Sequence, residues 1–166
     1  SCSPQQESKP DYYFDLATYF AREIRFLQQE QPKLKKAIQV KGRQEETILA
    51  PDTGFWRTEL APFVESNINK HALRDSYRSD SVSGMVTRYI PIGDSQSLQV
   101  KQLDIWRSSS GDIERITIVR RFENALSNSE LVLEYFPRKG YQVTGSQDVK
   151  YVGEEEYKIT SEYIFD

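Results

Sequence analysis

Cysteine and histidine each occur once in this 166-residue chain, as Cys2 and His71, and methionine also occurs once. A single thiol excludes an internal disulfide and a Cys-x-x-Cys redox pair, and one thiol with one imidazole cannot build a Cys/His zinc site. No metal or other cofactor is expected. No run approaches the roughly 20 consecutive apolar residues of a transmembrane helix. Charge of one sign is not in excess either: 22 Lys+Arg against 25 Asp+Glu give a net charge of -3. No global field then draws phosphate backbones, so nucleic acid is not an expected partner. A G-x-S-x-G nucleophile elbow is also missing.

What is present has the balance of one globular domain, 37% hydrophobic and 28% charged. A chain of this length buries about 70% of its unfolded surface and needs no covalent staple. The sequence opens Ser1-Cys2-Ser3-Pro4-Gln5-Gln6-Glu7-Ser8-Lys9-Pro10. A polar, Pro-containing run headed by the only thiol reads as a mature lipoprotein, with residues 1–10 as a flexible tether and Cys2 as the acylated residue. Several acyl chains at one point anchor a protein far more firmly than one chain does. Ser3 after the cysteine favours outer-membrane sorting. The expected location is therefore the cell envelope, lipid-anchored at the outer membrane, with residues 11–166 as a single domain facing the periplasm.

From Asp11 the apolar spacing turns helical. Tyr13, Leu16, Ala17, Phe20, Ile24 and Leu27 recur at three and four residues, predicting a helix over about 12–30 with Asp11 as N-cap and Pro32 beyond its end. Ile38 to Leu49 reads as a hairpin turning at Lys41-Gly42. Trp56, Leu60, Phe63, Val64 and Ile68 form a second helical stripe that Pro62 should split into two short pieces. Thereafter turn signals arrive at hairpin spacing, between strands over 85–92, 98–107, 113–122, 131–136, 141–144, 147–152 and 157–165, with Gly153-Glu154-Glu155 as the last turn. Alternation slips between Val100 and Leu103, predicting a bulge near Lys101-Gln102. The expected fold is α+β: a curved antiparallel β-sheet, a meander, with two helical elements packed on one face.

The opposite face would carry Asp104, Trp106, Arg115, Thr117, Arg121 and Glu134 and should be wet. Paired carboxylates there, Asp104 with Glu134, invite a glycosidase-like hydrolase. Arg115 and Arg121 share their alternation class, however, and a neighbouring cation favours the ionised carboxylate over the protonated acid such chemistry needs. His71 lacks a nucleophile and an orienting carboxylate in its sequence neighbourhood. Trp106, with Asp104, Arg115 and Arg121 beside it, is the ligand or partner candidate, because surface tryptophans mark contacts. The basic cluster Lys33, Lys35, Lys36, Lys41 and Arg43 is expected at the end of the first helix and in the hairpin, where it complements the helix dipole or meets anionic lipid.

Tyr13-Phe14-Asp15-Leu16 leading a helix through Gln31-Pro32, the hairpin with Lys41-Gly42 and Glu46-Thr47, and Trp56-Arg57-Thr58-Glu59-Leu60 with Phe63 and Glu65-Ser66-Asn67-Ile68-Asn69-Lys70 carry a further signal. Together they resemble a family of uncharacterised Bacteroidetes lipoproteins over nearly the whole mature chain. The resemblance implies an envelope location and no particular activity; His71 departs from the apolar or Pro residue it leads one to expect. The expected function is a non-catalytic interaction or scaffold module with another envelope protein as partner. A carrier of a small apolar ligand between sheet and helices is the alternative, and the carboxylate hydrolase the third.

Overall fold

The computed structural model describes residues 9–166, so Cys2 and most of the expected tether lie outside the described residues. The first helix, α1 (Leu16–Glu30), buries Leu16, Phe20, Glu23, Ile24 and Leu27 along one stripe. Its N-cap is Asp15, whose carboxylate accepts from the Thr18 N–H at 3.0 Å and its hydroxyl at 2.7 Å. Asp11 does not serve. Residues ahead of the helix are held in a non-helical path by distant asparagines: Asn69 Oδ1 accepts from the Tyr12 and Tyr13 N–H groups, and Asn67 Oδ1 from that of Leu16. Gln31 ends the helix in the left-handed region at φ 48°, its N–H returning to Leu27 O at 2.9 Å.

Strands β1 (Lys33–Val40) and β2 (Arg43–Leu49) form the expected hairpin, with Lys41 and Gly42 both at positive φ. The Pro62 split is present as α2 (Phe55–Glu59) and α3 (Ala61–Glu65), the proline lying in the first turn of α3, where its missing N–H costs nothing. The two expected helical elements are thus present as three helices, followed by a 3-10 turn at His71–Leu73. Seven strands then run consecutively: β3 (Tyr77–Ser83), β4 (Val86–Pro91), β5 (Val100–Arg107), β6 (Ile113–Glu123), β7 (Ser127–Phe136), β8 (Gly140–Val149) and β9 (Gly153–Ile164).

The result is one open antiparallel sheet of nine strands in the order β2-β1-β9-β8-β7-β6-β5-β4-β3. It is not a simple meander, because the β1–β2 hairpin adds to the far side of the last strand, Lys33 pairing with Ile164 and Val40 with Tyr157. The register shift between Val100 and Gln102 is the expected bulge. Two expectations fail at the far end. The segments 141–144 and 147–152 lie largely within one continuous β8, which runs through Gly145, and the last turn is at residues 150–152, with Tyr151 at φ 71°, ahead of Gly153.

The helices lie against the face bearing Leu34, Leu103, Ile105, Ile116, Ile118, Leu133, Tyr135, Tyr141 and Tyr163, hereafter the inner face. Phe20 stacks edge-on to Tyr135 (4.8 Å between centroids) and tilted against Phe63 (5.0 Å), while Trp56 meets Tyr163 at 5.5 Å. Two acids in this layer hold partners, whereas the buried Ser161 Oγ has none. The Tyr135 hydroxyl donates to Glu23 at 2.8 Å, and Glu59 accepts from the Tyr141 hydroxyl and from Lys36 Nζ. Burial, reinforced by Glu59, pushes the Tyr141 phenol well above its ordinary value, and burial raises Tyr135, Tyr163 and Tyr19 likewise.

Candidate functional site

On the outer face, facing cross-strand partners set the geometry. Asp104 on β5 stands between Arg88 on β4 and Thr117 on β6, and Thr117 faces Glu134 on β7. Arg88 grips Asp104 with two parallel bonds of 2.8 and 2.9 Å, and Gln102 Nε2 donates a third at 3.0 Å. The expectation of a wet surface fails here, because Asp104 is only 3% exposed. Bidentate pairing within the sheet makes this burial affordable. Arg115 bonds Glu134, and Arg121 bonds Glu130 at 2.6 Å.

One row away, Trp106 pairs in register with Arg115. The Arg115 guanidinium lies 5.3 Å from the Trp106 ring and 5.6 Å from that of Phe136, a cation held between two aromatic faces. Trp106 Nε1, Arg115 Nε and Thr117 Oγ1 are shielded from solvent and have no hydrogen-bond partner. Trp106, Asp104 and Arg115 are therefore brought together, as the sequence reading expects. Arg121 lies farther along β6 in its own surface ion pair.

The basic cluster is not at a helix end. Lys33, Lys35 and Lys36 belong to β1, which begins directly after Pro32, so the helix dipole has no part in placing them. Lys35 reaches Glu46 (3.7 Å), Lys36 reaches Glu59 (2.7 Å) and Lys41 reaches Glu155 (2.8 Å). Most of the expected patch is thus neutralised, and Lys33 and Arg43 remain as exposed cations on the hairpin. His71 is exposed, its Nδ1 2.9 Å from the Tyr12 hydroxyl.

The inner face holds a residue that sequence reasoning passed over. Two rows cross the sheet beyond the aromatic core: Leu103, Ile118, Leu133, Val143, Ile159 and Ile38, then Val100, Arg120, Leu131, Gly145, Tyr157 and Val40. Arg120 is 8% exposed and donates one hydrogen bond, from Nη2 to Gln99 Oε1 at 2.8 Å. Its Nε is buried without a partner, and no carboxylate among the described residues lies within ion-pair distance. Burial lowers its pKa, opposed by the charge of Glu65 at the end of α3. The available signal was phase: Ile116, Ile118, Arg120 and Phe122 alternate on one strand, which sets an arginine in an apolar series.

Cover over these rows thins from β6 towards β1. Ile118 and Leu133 are fully buried, whereas Tyr157, Val40 and Ile38 are 37%, 39% and 40% exposed. The Tyr157 ring lies on Gly145, where an added Cβ would come within 2.3 Å of it. Beside it, Ile38, Val40, Lys41, Arg43 and Glu45 line a depression of about 550 Å³. No protein-family model matches the chain, and no curated protein or solved structure is significantly similar to it.

Proposed function

We propose that this chain is a non-catalytic interaction module of the cell envelope, acylated at Cys2, anchored at the outer membrane and facing the periplasm, as in the Bacteroidetes lipoproteins its sequence resembles. Its partner is another envelope protein, and the contact surface is the outer sheet face around Trp106. The observation that carries this reading is the stack of Trp106, Arg115 and Phe136, since Trp and Arg are the residues most enriched at binding hot spots. The bulge at Val100–Gln102 favours a sheet curled around its helices, which would leave this face convex.

Pairing of the carboxylates favours binding over hydrolysis: Asp104 and Glu134, the two a hydrolase would employ, each hold an arginine. A ligand carried between sheet and helices is disfavoured because Phe20, Trp56, Phe63 and Tyr135 fill that layer.

The test is the full precursor in a Gram-negative host, as wild type, Cys2→Ser and Trp106→Ala, read by intact mass, membrane fractionation and crosslinking in intact cells. The expected result is acyl mass and membrane pelleting for wild type but not Cys2→Ser, with a crosslinked product that Trp106→Ala loses. A wild type that is soluble and unmodified overturns the anchor; a crosslink that survives Trp106→Ala overturns the surface.

A further inference from the structure

Arg120 and the thinly covered half of the inner face pose a separate question, on the side of the sheet opposite Trp106. An arginine nine-tenths buried on an apolar face, with one neutral hydrogen-bond partner and no counter-ion in contact, is an unusually costly arrangement. Its guanidinium lies 5.1 Å from the ring of Phe122, which is itself 36% exposed. From there the apolar floor of Leu131, Gly145 beneath Tyr157, and Val40 crosses from β6 to β1. Four strand spacings make this about 19 Å, the reach of a long acyl chain. The floor ends in the depression beside Ile38 and Val40.

We infer that this face binds a long-chain fatty acid, its carboxylate against the Arg120 guanidinium and its chain lying across β7, β8 and β9 towards Ile38 and Val40. The two ends of the site match the two ends of such a molecule. A carboxylate supplies the bidentate acceptor that Arg120 lacks. The methylene chain covers the surface that Tyr157, Ile38 and Val40 leave open to water. Tyr157 is the movable part, because it rests on a glycine and its ring can lift without disturbing the backbone. Arg43, at the opposite end of the floor, is the competing cation, and it is exposed, where water weakens its pull on an anion.

The test uses the full chain with cis-parinaric acid as fluorescent probe, displaced by palmitate, by hexadecanol, which keeps the chain without the carboxylate, or by butyrate, which keeps the carboxylate without the chain. Wild type is expected to bind the probe saturably, to prefer palmitate over hexadecanol by about tenfold or more, the scale of a charged hydrogen bond, and to ignore butyrate. Arg120→Gln should lose that preference while retaining hexadecanol binding, which also reports that the variant is folded. Val40→Glu, at an exposed position, should weaken both ligands. Equal affinity of wild type for acid and alcohol overturns the proposal without recourse to any variant. So does the absence of saturable probe binding, or a preference that survives Arg120→Gln and is abolished by Arg43→Gln.

Discussion

Tyr135 and Tyr157 stand on the same face of one sheet, two strands apart, in contrasting surroundings. Tyr135 is fully buried, stacked on Phe20 and Phe63, and bonded through its hydroxyl to Glu23. Tyr157 is more than a third exposed and rests on the bare backbone of Gly145. The helices account for the contrast: three of them cover one end of the strands, and the strands run on past them. Stability is concentrated where both layers contribute aromatic rings. The extended end has apolar surface in excess of what the chain itself covers, a pattern that marks contact surfaces.

The sharpest way to break this contrast is to cut a large side chain from each end. Phe20→Ala should cost about 3–5 kcal/mol in denaturant unfolding, as buried aromatic truncations do, whereas Tyr157→Ala should stay within about 1 kcal/mol. Equal losses would show the far end to be core. Two glycines give a smaller but cleaner version. A Cβ at Gly140, whose φ is +151°, would lie 1.9 Å from the Ser161 carbonyl oxygen, whereas at Gly145 it meets only the Tyr157 ring. Gly140→Ala should therefore destabilise by about 2–3 kcal/mol through backbone strain, and Gly145→Ala by less than about 1, the ring swinging away. Thermal unfolding of the two variants checks the order.

Alkaline titration separates the ends without mutation. Burial raises Tyr135, Tyr141, Tyr163 and Tyr19, and pushes Tyr77 up to about 12, so the folded chain keeps protons that the unfolded chain releases above pH 10. Stability contributed by these phenols is intact below pH 10 and falls as pH rises, by about 1.4 kcal/mol per pH unit for each tyrosine still protonated. Tyrosinate absorbance should accordingly rise for part of the tyrosines first, and for the rest together with unfolding. The smallest effect concerns the start of α1. Desolvation acts to raise the Asp15 pKa, but the Thr18 hydroxyl and N–H, together with Lys9, outweigh it and hold it below 3.8. Asp15→Ala should cost about 1 kcal/mol at neutral pH. That difference should persist down to about pH 4, then shrink as pH falls through the folded-state pKa, as urea unfolding at several acidic pH values would show.

Much of the framework was legible because it rests on local rules. The stripe of α1, the Lys41-Gly42 turn, the split at Pro62 and the slip at Lys101-Gln102 all follow from neighbours in sequence. What was not legible depends on distant residues. Asp11 lost the cap to Asp15 because Asn67 and Asn69 hold the preceding turn open from more than fifty residues away. β8 continues through Gly145 because Tyr157, on another strand, fills the space that glycine leaves. Lys35, Lys36 and Lys41 read as a free basic patch because Glu46, Glu59 and Glu155 are invisible to local spacing. At the candidate site, alternation did put Trp106, Arg115 and Asp104 on one face, but neither the burial of Asp104 nor the isolation of Arg120 can be read from pattern alone.

The attachment of the β1–β2 hairpin has a consequence in time. Every other neighbouring pair of strands can zip as the chain emerges, but β1 meets its second partner only when β9 has formed, since Lys33 pairs with Ile164. Contacts of such separation slow folding, because a long loop must close before they give any return. Until then β1 offers an open edge ending in Ile38 and Val40, the segment through which an unfinished molecule would most readily pair with a neighbour. Completion of β9 removes that hazard in one step, and the sheet becomes continuous from β2 to β3.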